Sequence, residues 1–263
     1  MEYALVTGAS SGIGLEYARR LAARGYGIVV VSNRHDENEK VADAIEHDFH
    51  VEAFPLYADL AKSDSADRIY EWCKELGIRI SVLISNAGIL HFAKLEGTDN
   101  AVIDRIIALH CTTPAKLCRL FASDMCRYHR GHILIMSSMT AWTPYPTMSL
   151  YGSTKVFLKN FGQSLWYELR DYNVSVTTVF PGAVDTSLYS LDEKLRHRLC
   201  RIGIMLSPEE VAIGGLQAMF RKKRQYVPGI LTRIEILLCR ALPAFALVLI
   251  LRIPILKRIL DKV

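Results

Sequence analysis

Six cysteines, at 73, 111, 118, 126, 200 and 239, are scattered through the 263 residues, and no two form a CxxC pair or stand with histidine at metal-ligand spacing. That excludes a disulfide framework and a zinc-finger type of site, and suits a reducing, intracellular setting. The eight histidines are equally dispersed, so no metal site is expected. No stretch reaches the about 20 apolar residues that a spanning helix needs. The run at 241–251 holds eleven, with Pro243 inside it. Strand-like residues begin at Tyr3, which leaves no room for the charged and apolar regions of a secretory signal. No segment is low-complexity or rich enough in proline and serine to read as a linker, and no internal repeat is present. No basic groove interleaved with aromatics occurs, so nucleic acid is not an expected partner.

Half of the residues (51%) are hydrophobic, enough at this length for a substantial core. One continuous domain, 1–263, is the expectation. The formal charge of +5 is unevenly spread, because residues 219–263 hold ten Lys/Arg against two Asp/Glu. The basic character therefore belongs to the C-terminal segment, and the rest of the chain is slightly acidic.

Six short apolar runs alternate with helical patterns: YALVT, GIVVVS, VEAFPLY, SVLIS, HILIMSS and VSVTTVF. Runs of this kind between helices of ten or more residues predict a parallel sheet covered on both faces. The expected architecture is α/β, a doubly wound parallel sheet (Rossmann fold) in three layers, α/β/α, with a ligand at the carboxyl ends of the strands.

The first strand runs straight into TGASSGIG (7–14) and then into a helical pattern. Gly8 permits a tight turn, and Gly12 and Gly14 remove side chains that would keep a pyrophosphate from the backbone amides at a helix N-terminus. Ser10, Ser11 and Ile13 belong to the same turn. The spacing is GxxxGxG, and with it the chain resembles the short-chain dehydrogenases/reductases. The likeness continues along about 190 residues. Asp59 and Leu60 resemble the adenine-contacting segment after the third strand. Ser85-Asn86-Ala87-Gly88 resembles the family's Asn-Asn-Ala-Gly signature, with Ser85 in place of the first Asn. Pro181, Gly182, Val184 and Thr186 resemble the segment that holds the nicotinamide amide and the pyrophosphate.

Within that family YGSTK (151–155) matches the catalytic Tyr-x-x-x-Lys, and Ser138 stands thirteen residues before Tyr151, the usual distance. Ser137 is the neighbouring candidate, which the spacing disfavours. The chemistry is coherent on its own terms. Hydride reduction of a carbonyl leaves an oxyanion that needs a proton, and a phenol of pKa about 10 gives one poorly at neutral pH. The Lys155 ammonium and a positive nicotinamide would favour the phenolate and lower that pKa. Ser138 would polarise the substrate oxygen, and Lys155 would also hold the ribose hydroxyls. The family usually carries an Asn in the preceding helix, where it holds a relay water, and here His110 takes that place. His110 is expected to substitute in the relay and to titrate near neutral pH; the alternatives are a less efficient relay or a helix aligned one turn off.

The second strand ends in Ser32-Asn33-Arg34 with no acid at the turn. Arg34 can pair with a 2′-phosphate and Asn33 can donate to it, so NADP(H) is preferred over NAD(H). The bland alternative is an exposed turn arginine. The interval 187–206 corresponds to the family's substrate lid. Its Leu188, Tyr189, Leu191, Leu195, Leu199, Ile202, Ile204 and Met205 imply a bulky apolar substrate rather than a sugar, or else plain packing; the expected partner is a small-molecule apolar carbonyl or alcohol. The arm at 229–263, apolar with basic flanks, either lies as a peripheral element on anionic lipid or packs over the substrate pocket or a partner subunit. The resemblance implies a homodimer or homotetramer, and the expected location is cytoplasmic or membrane-associated. The expected function is NAD(P)(H)-dependent interconversion of a carbonyl and a secondary alcohol on a lipid-, steroid- or acyl-like substrate. The alternatives are a 3-oxoacyl thioester reductase and a non-catalytic NADP(H)-binding interaction protein.

Overall fold

The computed structural model describes residues 1–145, 147–186, 197–200 and 203–241. Seven strands form one sheet in the order β3-β2-β1-β4-β5-β6-β7, and every neighbouring pair is parallel. They are β1 (Tyr3–Thr7), β2 (Gly27–Ser32), β3 (Ala53–Tyr57), β4 (Ile80–Ser85), β5 (Gly131–Met136), β6 (Val174–Val179) and β7 (Gln225–Tyr226). β2, β4 and β6 are buried at every position, as a sheet covered on both faces requires.

Alternation of side chains along each strand divides the core in two. Ala4, Val6, Ile28 and Val30 face one layer, with α1 (Gly12–Ala22), α2 (His35–Phe49) and α7 (Pro208–Phe220). Leu5, Val29, Val31, Ile133 and Ile135 face the other, with α3 (Ser65–Glu75), α5 (Thr113–Arg127) and α6 (Ser149–Leu169). The chain thus has the doubly wound, three-layer architecture expected from its six apolar runs, with two elements more than those runs reveal. The seventh strand has only two residues, too few to show a period. The other is α8 (Ile230–Ala241), in the basic C-terminal segment.

The order of the strands reverses between β1 and β4, and their carboxyl ends are sewn together there. The Thr7 hydroxyl donates to Ile84 O at 3.2 Å and accepts the Asn86 and Ala87 amides at 2.9 and 3.0 Å. Asn86 Nδ2 returns a bond to Thr7 O at 3.0 Å. This lock holds the glycine turn against the Asn86–Gly88 segment. Between α4 (Asn100–Ile107) and α5, residues Ala108–Thr112 form one π-helical turn, a local widening common at functional positions. It turns His110 fully inward. Among the described residues no helix is long and apolar enough to cross a membrane.

Candidate active site

Two adjoining cavities open at the carboxyl ends of the strands. The first, of about 380 Å³, is lined by Gly8, Ser10, Ser11, Gly12, Ile13, Asn33, Arg34, Asp59, Leu60, Asn86, Ala87, Gly88 and Thr186, all singled out from the sequence. Ser32, Ala58, Ala61, Ile89, Arg105 and Leu109 complete its wall. Arg105 belongs to α4 and carries no motif; only the fold brings it there.

The first cavity suits a dinucleotide. Gly8 and Gly12 take positive φ, +69° and +56°. A Cβ at Gly12 would approach Thr186 Cγ2 to 3.2 Å, narrowing the passage between the glycine turn and Thr186. The first amides of α1 are not capped by the Ser11 side chain, so the positive end of the helix faces the cavity. Gly14 has a different role from the one expected. It does not line the cavity, and a Cβ there would collide with Gly8 O and lie 2.6 Å from Asn86 Nδ2. Its missing side chain lets the turn close on β4 rather than admitting a phosphate.

The second cavity, of about 320 Å³, shares Ile13, Asn86, Gly88, Ile89 and Thr186 with the first. Ser138, Tyr151, Lys155, Pro181, Gly182 and Val184 lie on its wall. Ile89, Leu90, Phe92, Met139, Met148, Ile204 and Leu231 give the wall its apolar character. Of the expected lid, Leu188, Tyr189, Leu191, Leu195 and Ile202 lie outside the described residues; Ile204 lines this cavity, Leu199 is half-buried and Met205 is buried in the protein.

The two candidate serines separate by what their hydroxyls do. Ser137 Oγ donates to Lys155 O at 2.8 Å and so ties the end of β5 to α6. Ser138 Oγ accepts the Thr140 amide at 3.2 Å at the start of the single turn Met139–Ala141. The Lys155 ammonium is buried (5% exposed) and donates to Met136 O at 3.2 Å. It lies 5.4 Å from the centre of the Tyr151 ring. Burial lowers its pKa to about 8, so it is still mostly charged at neutral pH.

His110 packs edge-on against Tyr151, with ring centres 5.7 Å apart. The Thr154 hydroxyl donates its one proton to Tyr151 O at 2.7 Å. In the 3.0 Å contact between His110 Nδ1 and Thr154 Oγ1 the imidazole is therefore the donor. His110 Nε2 accepts the Ile89 amide at 3.0 Å. Both nitrogens are thus bonded to protein in one neutral tautomer, and neither remains for the water expected of a relay. Burial, and then the Lys155 charge, hold the His110 pKa well below its usual value. The expectation that it titrates near neutral pH does not survive that environment.

A doubly wound sheet with a glycine turn and a cavity at its switch point defines a dinucleotide-binding α/β protein. Comparison carries this further: the family model described as short chain dehydrogenase matches residues 2–195, and the chain belongs to that family of oxidoreductases. It is 32% identical to the very-long-chain 3-oxoacyl-CoA reductase of Mus musculus over 197 residues, which is 73% of this chain and 62% of that protein. The chain therefore spans less than two thirds of the length of that relative. It is 31% identical to the uncharacterized oxidoreductase YmfI of Bacillus subtilis, across 86% of this chain and 94% of that one. A short-chain dehydrogenase from Sphingobium yanoikuyae, solved in complex with NADPH, superposes with a TM-score of 0.80 at 27% identity, covering 90% of this chain and 92% of that one. The bulky-bulky ketone specific alcohol dehydrogenase from Comamonas testosteroni gives 0.76 at 28%, covering 87% and 86%.

Proposed function

We propose that the protein is an NADP(H)-preferring dehydrogenase/reductase that interconverts a carbonyl and a secondary alcohol on an apolar substrate. The observation that carries this is the position of Ser138, Tyr151 and Lys155 on the wall of an apolar cavity that adjoins the glycine-turn cavity. The residues of the two cavities would hold a nicotinamide nucleotide, which would supply or accept the hydride. The chain's own residues then manage the proton. In reduction, Tyr151 Oη gives its proton to the carbonyl oxygen, and the Lys155 ammonium stabilises the phenolate left behind. In oxidation the phenolate takes the alcohol proton. Ser138 Oγ donates to the same substrate oxygen and holds it in place.

NADP(H) is favoured because the end of β2 brings Asn33 and Arg34, and no carboxylate, to the first cavity, with Arg105 on its wall. The apolar substrate follows from Leu90, Phe92, Met139, Met148 and Ile204. A 3-oxoacyl thioester fits the same description, and several relatives are named as reductases of that class. Nicotinamide absorbance, followed with NADPH and NADH over a panel of bulky ketones, diketones and 3-oxoacyl thioesters, tests the reading. Turnover faster with NADPH is expected. Tyr151→Phe should lower kcat by about 10²-fold or more, the range usual for a lost general acid, while still binding NADPH. Tight NADPH binding with no turnover across the panel would overturn the enzymatic reading in favour of a nucleotide-binding interaction protein.

A further inference from the structure

We infer that the outer face of α8 docks on an anionic lipid surface, and that the apolar cavity opens onto that surface. Ile230, Ile234, Leu237 and Leu238 recur at helical spacing, and with Leu231 they form one apolar stripe. All five are exposed, Ile230 at 73% and Leu237 at 69%. The opposite side of the helix seats it on the protein. Thr232 is buried there, so close to Gly182 that a Cβ on the glycine would come within 2.6 Å of the threonine hydroxyl. The stripe therefore faces outward as a consequence of how α8 is anchored, and an outward stripe of five large apolar residues calls for a covering surface.

Charge identifies that surface. Arg233 and Arg240 flank the stripe, Arg233 Nε donating to Val227 O at 2.9 Å and the Arg240 guanidinium lying 5.4 Å from the centre of the Trp142 ring. Arg221-Lys222-Lys223-Arg224 precede the helix, and residues 219–263 hold ten Lys/Arg against Glu235 and Asp261. Of those two acids, Glu235 accepts the Tyr145 hydroxyl at 3.1 Å on the cavity wall. A second copy of the chain on this face would bring Arg233 and Arg240 of one copy against those of the other, with only Glu235 on the helix to balance them. Anionic headgroups supply the missing charge while the acyl boundary takes up the stripe. In the sequence, the residues that follow α8, 242–251, are apolar as well.

Position gives the docking a purpose. Leu231 and Ile204 are both exposed and both on the cavity wall, so they form an apolar rim where the cavity meets the α8 face. A lipid-soluble carbonyl compound could pass from bilayer to cavity along that rim without crossing water. This second half rests on the proposed activity; the docking itself does not.

The test is flotation of the full-length protein with vesicles of phosphatidylcholine alone and of phosphatidylcholine mixed with phosphatidylglycerol. The intact protein should float with the mixed vesicles, stay behind with the neutral ones, and release at high salt. The double variant Leu237→Glu, Leu238→Glu, whose positions lie off the cavity wall, should bind about tenfold less or weaker still. Its melting temperature and its turnover of a water-soluble ketone should match the parent. A variant that floats as well as the parent would overturn the docking. So would sedimentation showing that the two substitutions break apart a lipid-free dimer, since the face would then belong to a second copy. If docking holds, the KM for a membrane-soluble ketone presented in mixed vesicles should rise in the variant relative to the parent. An equal KM would overturn the opening of the cavity onto the lipid. A protein inactive on every ketone but bound to anionic vesicles would sink the proposed activity, and with it the route to the cavity, leaving the docking standing.

Discussion

His110 shows how one substitution keeps a site's geometry while changing what the residue can do. The ring bridges two parts of the crevice: Ile89 N–H on one side and, through Thr154 Oγ1, the Tyr151 carbonyl on the other. It therefore fixes the distance between the Asn86–Ile89 segment, shared by the two cavities, and the first turn of α6. Burial and the Lys155 charge hold the imidazole neutral, a state suited to positioning rather than to acid–base work. An asparagine at this place could accept from Ile89 N–H and donate to Thr154 in the same manner. His110→Asn should accordingly retain most of kcat/KM, with a pH–rate profile that superimposes on the parent between about pH 6 and pH 8. His110→Ala should cost about tenfold or more in kcat/KM through lost alignment. Its thermal stability should fall as well, because the half-buried Ile89 amide loses its acceptor. A shifted pH profile in His110→Asn would restore the titrating relay and remove the positioning account. The sequence made the chain position of this residue legible, but its tautomer and its partners exist only once α6 and the Asn86–Ile89 segment are side by side.

At the scale of elements, legibility followed the strength of the local pattern. Strands buried at every position, such as GIVVVS and VSVTTV, declare themselves as apolar runs between helices. α7 announces its start through Pro208 in its first turn and through Ser207 and Glu210, which form a capping box in the structure. What the pattern could not show is how closely α7 approaches its neighbours. Gly214 and Gly215 lie side by side within it, and a Cβ on Gly215 would overlap the hydroxyl of Tyr17 on α1. Tyr17 is fully buried, with its hydroxyl directed at Met136 Sδ at 3.4 Å, so it has no room to withdraw. The contact between α1 and α7 is thus set by a missing side chain. Gly215→Ala should destabilise the protein by about 1–3 kcal/mol, the cost usual for overpacking a filled interior, read as a lower urea midpoint. Because Gly215 lines neither cavity, turnover per folded molecule should be unchanged. A midpoint equal to the parent's would mean that α7 can slide, and that its separation from α1 is not fixed by this pair of residues.

For the molecule as a whole, the order of motifs along the chain specified which residues meet. Segments around residues 8, 33, 59, 86, 151 and 182 all belong to the carboxyl ends of parallel strands or to the helices that follow, so one topology gathers them. Arg105, Phe92 and Leu231 reach the same cavities from α4, from the segment after β4 and from α8, with no period or motif to mark them. The homo-oligomer expected from the family resemblance is a property of this same scale, and one surface suits it. Ile107 on α4 and Val156 and Phe157 on the neighbouring α6 are exposed large apolar residues, at 42%, 38% and 40%. Phe157 is held in place by stacking on Phe161, 5.6 Å away and nearly parallel. A rigid aromatic anchor set among aliphatic neighbours on two packed helices is the composition of an interface centre. It belongs to helices other than α8, so self-association here and lipid docking there need not compete. If the parent sediments as an oligomer through this surface, Phe157→Arg should convert it to monomers in sedimentation equilibrium, since a buried unpaired guanidinium opposes association. The Leu237→Glu, Leu238→Glu variant should keep the parent's mass. Were Phe157→Arg to leave the mass of an oligomeric parent unaltered, the α4–α6 surface would not be the contact.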